Sequence, residues 1–135
     1  MKNFYRLRLN LKNIKYFKMR KQLRTYNEVV YITKESHPHF NIDEGSYNYI
    51  LLQLMLNNID VPKNVKTFSC EFIADLPIGK TDYTIGGKDV VTNVATIVLS
   101  RKMVHGVSRL ILITAYFGRL VSNYYEKAAN GQIGV

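Results

Sequence analysis

The sequence predicts an α+β fold with a mainly antiparallel β-sheet and one or two helices packed on one face. Three observations support this prediction. Residues 5–12 alternate strictly between apolar and polar side chains, which is typical of a half-buried strand. Most of the polar side chains in this segment are basic. Residues 47–58 carry apolar side chains at helical spacing. Two β-branched apolar segments, 94–100 and 107–117, flank the short sequence RKMVHG and therefore predict an antiparallel hairpin.

The length and composition are those of one folded domain. A chain of 135 residues with 47% apolar and 12% aromatic residues can bury a hydrophobic core without a metal or a disulfide. We interpret residues 1–135 as a single domain, with a basic N-terminal arm at 1–27 and a tail at 118–135. No apolar stretch approaches the roughly 20 residues that a membrane-spanning helix needs, so no membrane span is predicted.

The net charge of +9 arises from the N-terminal arm alone. No acidic residue precedes Glu28, and from Glu28 onward basic and acidic residues are equal in number. Charge concentrated in this way indicates RNA or another polyanion as a partner, although a solvated surface is the alternative. The predicted nucleic-acid-binding residues are Arg6, Arg8, Lys12, Lys15, Lys18, Arg20, Lys21 and Arg24.

The alternation in the arm predicts a strand at the edge of the sheet. Its apolar residues would face the core, while Arg6, Arg8 and Lys12 would face outward. An outward row of positive charge suits a phosphate backbone, and it also discourages edge-to-edge aggregation. The alternating pattern is compatible with both interpretations.

The middle of the chain alternates between regular segments and loops. The sequence predicts a strand at 26–33, a polar loop at 34–45 and a helix at 47–58 that Ser46 caps. Alternation within 67–72 predicts another half-buried strand. The glycine-rich and proline-containing segment 76–89 is interpreted as a second loop, of the kind that often carries ligand-binding groups.

Several kinds of chemistry are not supported by the motifs. The histidines and the single cysteine lack the spacing of CxxC or HExxH metal sites, so the sequence predicts neither a metal nor another cofactor. Residues 78–81 resemble the end of a Walker loop, but the upstream glycine is missing. Cys70 is interpreted as a buried structural thiol.

Metal-independent RNA cleavage requires residue types that this chain contains. A base must accept the proton of the 2′-hydroxyl group, a cation must stabilise charge on phosphorus, and hydroxyl groups must position the phosphate. Thr114 and Tyr116 are two residues apart on a predicted strand, so their side chains share a face at a separation of ~7 Å. The candidate bases are His37, His39 and His105, and the candidate cations are Lys80, Arg101, Lys102 and Arg109.

Each candidate also has a purely structural interpretation. Histidines in polar loops are usually solvated. Thr and Tyr are common in strands because they fill a pleated surface well. Lys80 lies beside a glycine and is compatible with a simple turn residue.

The C-terminal sequence TIVLSRKMVHGVSRLILITAYFGRL resembles the closing strands of the barnase, EndoU and RelE-like ribonuclease group, in particular toxin domains of contact-dependent inhibition and polymorphic toxin systems. The upstream sequence FIADLPIGKTDYT is similar to the segment before this hairpin in related bacterial and phage proteins. The resemblance covers the C-terminal half of the chain. It implies an antiparallel sheet that follows N-terminal helices.

The resemblance also implies roles for individual residues. The Thr-x-Tyr pair of the group corresponds to Thr114 and Tyr116. The histidine base upstream of the sheet corresponds to His37 or His39, and Lys80 or Arg101 would supply a cation. The chain departs from the group at Phe117, where proline often follows the pair, and in its basic N-terminal strand.

We therefore expect a metal-independent RNA-cleaving domain, either a toxin-like or a phage-encoded effector that acts in the cytoplasm and is neutralised by an acidic inhibitor. A different class of function is also compatible with the basic arm. The protein would then bind nucleic acid without cleaving it, inhibit a host complex that handles nucleic acid, or form a structural subunit of a ribonucleoprotein.

Overall fold

A computed structural model describes residues 4–12 and 22–119, and it confirms the α+β fold. These residues form one helix and seven strands. In chain order they are β1 (Phe4–Leu9), β2 (Val30–Tyr31), α1 (Tyr47–Asn57), β3 (Thr67–Ala74), β4 (Gly79–Ile85), β5 (Lys88–Thr92), β6 (Val94–Val104) and β7 (Val107–Phe117). No helix in this part of the chain is long and apolar enough to cross a membrane.

A five-stranded sheet with the strand order β1-β3-β6-β7-β2 forms the centre of the fold. The inner strand β6 is antiparallel to both of its neighbours, β3 and β7, as a mainly antiparallel sheet requires. Each outer strand is parallel to its neighbour, β1 to β3 and β2 to β7. Strands β4 and β5 form a separate two-stranded sheet.

The hydrophobic core lies between α1 and one face of the large sheet, which we call the first face. Helix α1 begins as predicted, because the Ser46 hydroxyl oxygen accepts a hydrogen bond from the backbone N–H of Tyr49. Its residues 51–56, which include the polar Gln53, are all buried, so burial is not confined to one side of the helix as the apolar spacing predicts. The helix packs on first-face residues that include Phe72, Ile97 and Leu112.

Strand β1 confirms the predicted edge strand. Leu7 pairs with Phe72 and Leu9 with Ala74, which directs both leucines to the first face. Arg6 pairs with Glu71 on the opposite face, which we call the second face. The strand ends at Leu9 rather than at residue 12, because residues 11–12 form a short helical turn.

The prediction that β3 is half-buried is wrong. The side chain of Glu71 on the second face is 1% exposed, and Ser69 on the same face is also buried. Glu71 forms ion pairs with Arg6 (3.1 Å) and Arg119 (3.3 Å). A buried carboxylate of this kind is stable only with such partners.

The strand predicted at 26–33 begins with a bend at residues 26–28 instead of extended chain. The backbone N–H of Thr25 donates to the carbonyl of Glu28, and the adjacent Arg24 and Val29 form an isolated bridge. Only β2 remains as a strand.

The segment 76–89, predicted to be a loop, contains most of the β4–β5 hairpin. Ile85 pairs with Lys88 across a two-residue turn formed by Gly86 and Gly87. Both glycines have positive φ, 58° and 77°, as a tight hairpin turn requires. The prediction missed the strands because glycine and proline were interpreted only as loop residues.

The predicted C-terminal hairpin is confirmed as β6 and β7. Both strands extend up to a two-residue turn at His105 and Gly106, whose φ values are 50° and 79°. Val98 pairs with Thr114, whereas Leu99 pairs with Leu112, so Ile113 is an extra residue that forms a β-bulge in β7.

Other predictions lie outside the described residues. These are the nucleic-acid-binding roles of Lys15, Lys18, Arg20 and Lys21 and the part of the tail from residue 120 onward.

A largely buried ion pair connects the turn before β2 to the first face. Arg101 donates to both carboxylate oxygens of Glu28, at 2.8 and 3.0 Å, and the two side chains are 8% and 13% exposed. The hydrogen bond from Arg101 is the main cause that holds the pKa of Glu28 below its ordinary value of 4.5, while burial opposes it. The same contact raises the pKa of Arg101.

We predict that Glu28→Gln destabilises the fold by ~1–3 kcal/mol at pH 7, because it leaves a mostly buried guanidinium without its charged partner. Because the folded-state pKa of Glu28 is lowered, this stabilisation is complete above about pH 4.5 and is lost as the pH falls through the folded-state value. Denaturant unfolding should therefore show that the wild type and the variant differ in free energy of unfolding at pH 7, and that this difference shrinks below pH 4.5. The control is Glu35→Gln, which removes an exposed ion pair with Lys102 and should leave the free energy of unfolding nearly unchanged.

We also predict that Cys70 is unreactive in the native protein. Its side chain is fully buried, and burial together with the neighbouring Glu71 charge raises the pKa of the thiol to about 12. Alkylation by iodoacetamide at pH 8 should be slow in buffer and fast in denaturant. Rapid alkylation under native conditions would contradict the burial of this thiol.

Candidate active site on the second face

The segment 37–39 runs beside β7 as a continuation of the sheet edge. The backbone N–H of His37 donates to the carbonyl of Ile113, and that of His39 donates to the carbonyl of Ala115, both at 2.8 Å. This spacing is that of a parallel strand pair. It places His37 beside Thr114 and His39 beside Tyr116.

Pro38 fits this arrangement because alternate residues of a strand direct their backbone groups to opposite sides. The flanking histidines use their N–H groups toward β7, so the missing N–H of Pro38 falls on the other side. The Thr114 hydroxyl group donates to the His37 carbonyl at 2.9 Å and fastens the segment to the strand. Thr114 therefore holds a histidine in place.

His39 is part of a polar cluster with Asp82 and Tyr116. The Nδ1 atom of His39 forms a hydrogen bond with a carboxylate oxygen of Asp82. The rings of His39 and Tyr116 meet edge to face with centroids 5.9 Å apart. The side chains of His39 and Asp82 are 49% and 39% exposed, so a solute can reach the pair.

The β4–β5 hairpin supplies Asp82, and its position depends on close packing against the end of β7. A Cβ atom at Gly79 would lie 2.4 Å from the Phe117 ring, so only glycine allows the hairpin to approach this closely. The same ring stacks on Phe40 at 4.6 Å. Phe117 thus packs against both segments that position the cluster. One is the β4–β5 hairpin, and the other is the segment that continues from His39 to Phe40.

A polar row crosses the second face from this cluster to β1. Strand pairing aligns Tyr116 with Thr96, Thr96 with Glu71, and Glu71 with Arg6. The Thr96 hydroxyl group donates to the Gly118 carbonyl at 2.7 Å. Arg119, which follows, is 46% exposed and reaches Glu71. Cations therefore lie at the far end of the row that begins at Tyr116.

The structure brings four of the predicted catalytic residues together: His37, His39, Thr114 and Tyr116. Lys80 lies two residues before Asp82 and forms an exposed ion pair with Asp89 at 3.3 Å.

The remaining candidates lie elsewhere. Arg101 is on the first face with Glu28, and His105 forms the β6–β7 turn. Lys102 forms an ion pair with Glu35, and the Arg109 guanidinium lies over Tyr31.

Sequence reasoning missed Asp82 and Arg119. Asp82 was assigned to a loop, and the pairing of a carboxylate with a histidine 43 positions away leaves no mark in the sequence. Arg119 was assigned to the tail. The Gly-Gly turn was the available signal for the hairpin that carries Asp82.

The described basic residues of the arm contribute unequally to the second face. Arg6 and Arg8 pair with Glu71 and Ile73 there. Arg8 and Lys12 line a shallow cavity of about 260 Å³ together with Asp75. Arg24 lies at the bridge before β2, away from β1 in the strand order.

Comparisons of the chain with protein-family models, curated proteins and solved structures find no match. Within residues 4–12 and 22–119, no group of three or more His, Cys, Asp or Glu side chains is arranged to hold a metal ion.

We predict that Thr114→Val loosens the histidine segment. The change removes the hydroxyl group that donates to the His37 carbonyl while it keeps a β-branched strand residue. Loss of one such hydrogen bond should cost ~1 kcal/mol and speed amide exchange at His37 and His39. Ser108→Ala, at an exposed position of the same strand, is the control and should leave both amides unchanged.

Proposed function

We propose that the protein is a metal-independent endoribonuclease whose active site is the cluster of His39, Asp82 and Tyr116. The observation that carries this proposal is the exposed His39–Asp82 pair beside the Thr-x-Tyr pair of β7. A histidine oriented by a carboxylate is the usual arrangement for a general base. The amino-acid pattern and its resemblance to the barnase, EndoU and RelE-like group support the same reaction.

His39 acts as the base in the proposed reaction. Because Asp82 accepts the hydrogen bond from Nδ1, the neutral imidazole carries its lone pair on Nε2. Nε2 takes the proton of the RNA 2′-hydroxyl group, and the resulting oxygen attacks the adjacent phosphorus. The P–O5′ bond breaks, which leaves a 2′,3′-cyclic phosphate on one product.

The leaving 5′-oxygen needs a proton and the phosphorus needs a cation. His37 lies two residues from His39 on the same side of the segment, ~7 Å along the strand direction, and supplies the proton in its protonated form. Lys80 stabilises the charge on phosphorus, because its ion pair with Asp89 is exposed and therefore weak enough to exchange for a phosphate. Arg119 and Arg6 hold the RNA backbone farther along the polar row.

This function fits a toxin-like or phage-encoded effector that acts on cytoplasmic RNA. Since the cations of the second face would attract any complementary surface, an acidic inhibitor protein is the expected regulatory partner. Binding of nucleic acid without cleavage, either to inhibit a host complex or within a ribonucleoprotein, is the second candidate. The exposure of Arg6, whose side chain is 63% accessible, favours it.

The test is incubation of purified protein with total RNA in EDTA. We predict cleavage by the wild type and a loss of ~10²–10⁴-fold in rate for His39→Ala, because the base is removed. Asp82→Asn should also reduce the rate, since the amide can no longer hold the same tautomer. The matched control is Asp43→Asn, an exposed carboxylate in the loop before α1.

Two outcomes would contradict the proposal. Intact RNA with the wild type would exclude cleavage, and a salt-sensitive mobility shift of that RNA would then support the binding function. Cleavage that is equal in wild type and His39→Ala would show that the reaction occurs elsewhere. Circular dichroism of each variant establishes that the fold is retained.

A further inference from the structure

A cavity lies on the second face, near the end of β7 opposite to the His39 cluster. It is a cavity of about 290 Å³ between β2 and the β6–β7 turn, lined by residues that include Tyr31, Val104, His105, Arg109 and Ile111. This volume is close to the lower end of the ~300–1,000 Å³ typical of small-molecule sites. The cavity takes no part in the cluster around His39.

Strand pairing shows that the cavity and the cluster share the second face. Tyr31 pairs with Ile111, and Ile111 pairs with Ser100. Arg109 pairs with Lys102. Paired residues lie on the same face of a sheet, and for these residues it is the face that carries Tyr116. Tyr116 lies five positions after Ile111 in β7, which is ~16 Å along the strand. A short extended RNA segment can span that distance.

Two planar groups form one wall of the cavity. The guanidinium carbon of Arg109 lies 4.6 Å from the centre of the Tyr31 ring. Stacked arginine and aromatic planes are the surfaces on which proteins bind unpaired nucleobases. Val104 and Ile111 add apolar surface beside them.

Arg109 also has an unused donor. Its Nε atom is buried, and no group of the described residues accepts a hydrogen bond from it. The neighbouring cation Lys102 is paired with Glu35, but no carboxylate within the described residues pairs with Arg109. Because no such carboxylate holds it, the Arg109 guanidinium is available to stack on a planar ligand in the cavity.

We propose that this cavity is a subsite for one unpaired nucleobase of RNA, which stacks on the planar groups of Tyr31 and Arg109. The subsite rests on the proposed function, since it places the base a few nucleotides from the bond cleaved at His39. It makes single-stranded RNA the substrate class, because a base inside a duplex cannot enter the cavity.

Nucleotide binding tests the subsite without cleavage. Each of the four nucleoside 5′-monophosphates is titrated into the protein and followed by NMR, with ribose 5-phosphate and inorganic phosphate as reference ligands. We expect at least one nucleotide to shift the amides around Tyr31 and Arg109 and to bind at least tenfold more tightly than ribose 5-phosphate, because base stacking supplies the difference. Equal binding of all ligands would show an anion site only and would overturn the proposal.

Matched substitutions locate the contribution of each plane. Tyr31→Phe keeps the ring and should bind like the wild type, whereas Tyr31→Leu should weaken binding about tenfold. Arg109→Lys keeps the charge but removes the planar group and Nε, and it should weaken binding by a similar factor. Val104→Trp, near the exposed end of the hairpin, fills the cavity and should abolish binding even if the other variants fold poorly. Unchanged binding in Val104→Trp would overturn the proposal.

The cleavage assay separates this inference from the proposed function. If nucleotides bind as expected but no RNA is cleaved, the endoribonuclease activity fails and the subsite stands. If RNA is cleaved by His39 while paired and single-stranded substrates react equally, and Arg109→Lys cleaves both at the wild-type rate, the subsite fails and the activity stands.

Discussion

The β-bulge at Ile113 is the local feature on which the arrangement of the two faces depends. In a regular strand, residues two positions apart lie on the same face. Without the extra residue, one face would therefore carry Leu110, Leu112, Thr114 and Tyr116 together. Because Thr114 pairs with Val98 while Leu112 pairs with Leu99, the alternation changes phase between them. Leucines at the start of β7 and Phe117 at its end therefore reach the core, while Thr114 and Tyr116 reach the second face.

The bulge also supplies a backbone contact to the candidate site. The carbonyl of Ile113, which has no partner residue on β6, accepts the hydrogen bond from His37. Bulges are frequent next to active sites because they redirect side chains and free backbone groups. One inserted residue thus both selects the side chains of the site and anchors the segment opposite them.

The sequence predicts the parts of the fold that depend on local periodicity. The alternation in β1, the Ser46 cap and the C-terminal hairpin are confirmed because each reflects burial of one face or one capping hydrogen bond. The β4–β5 hairpin was missed because its strands contain polar and glycine residues, and their stability depends on packing at Phe117. Long-range pairs such as His39 with Asp82 and Glu71 with Arg119 depend on tertiary topology, which periodicity does not encode.

The candidate site was predictable in part for the same reason. Thr114 and Tyr116 share a face because they lie two apart on a strand, which any strand would provide. Their meeting with His37 and His39 requires a parallel edge segment that is too short and too polar to be recognised from its composition. Arg101 was an equally plausible cation by residue type, but the phase of β6 directs it to the first face.

Pro38 has a consequence for self-association. An edge segment normally offers N–H groups on its outer side, where a further strand can be added. Pro38 lies between the two histidines whose N–H groups donate to β7, so its own backbone nitrogen is on the outer side of the edge. As a proline it has no N–H to donate there. The segment that brings two histidines to the strand therefore also lacks the donor that sheet growth from one molecule to the next would need there.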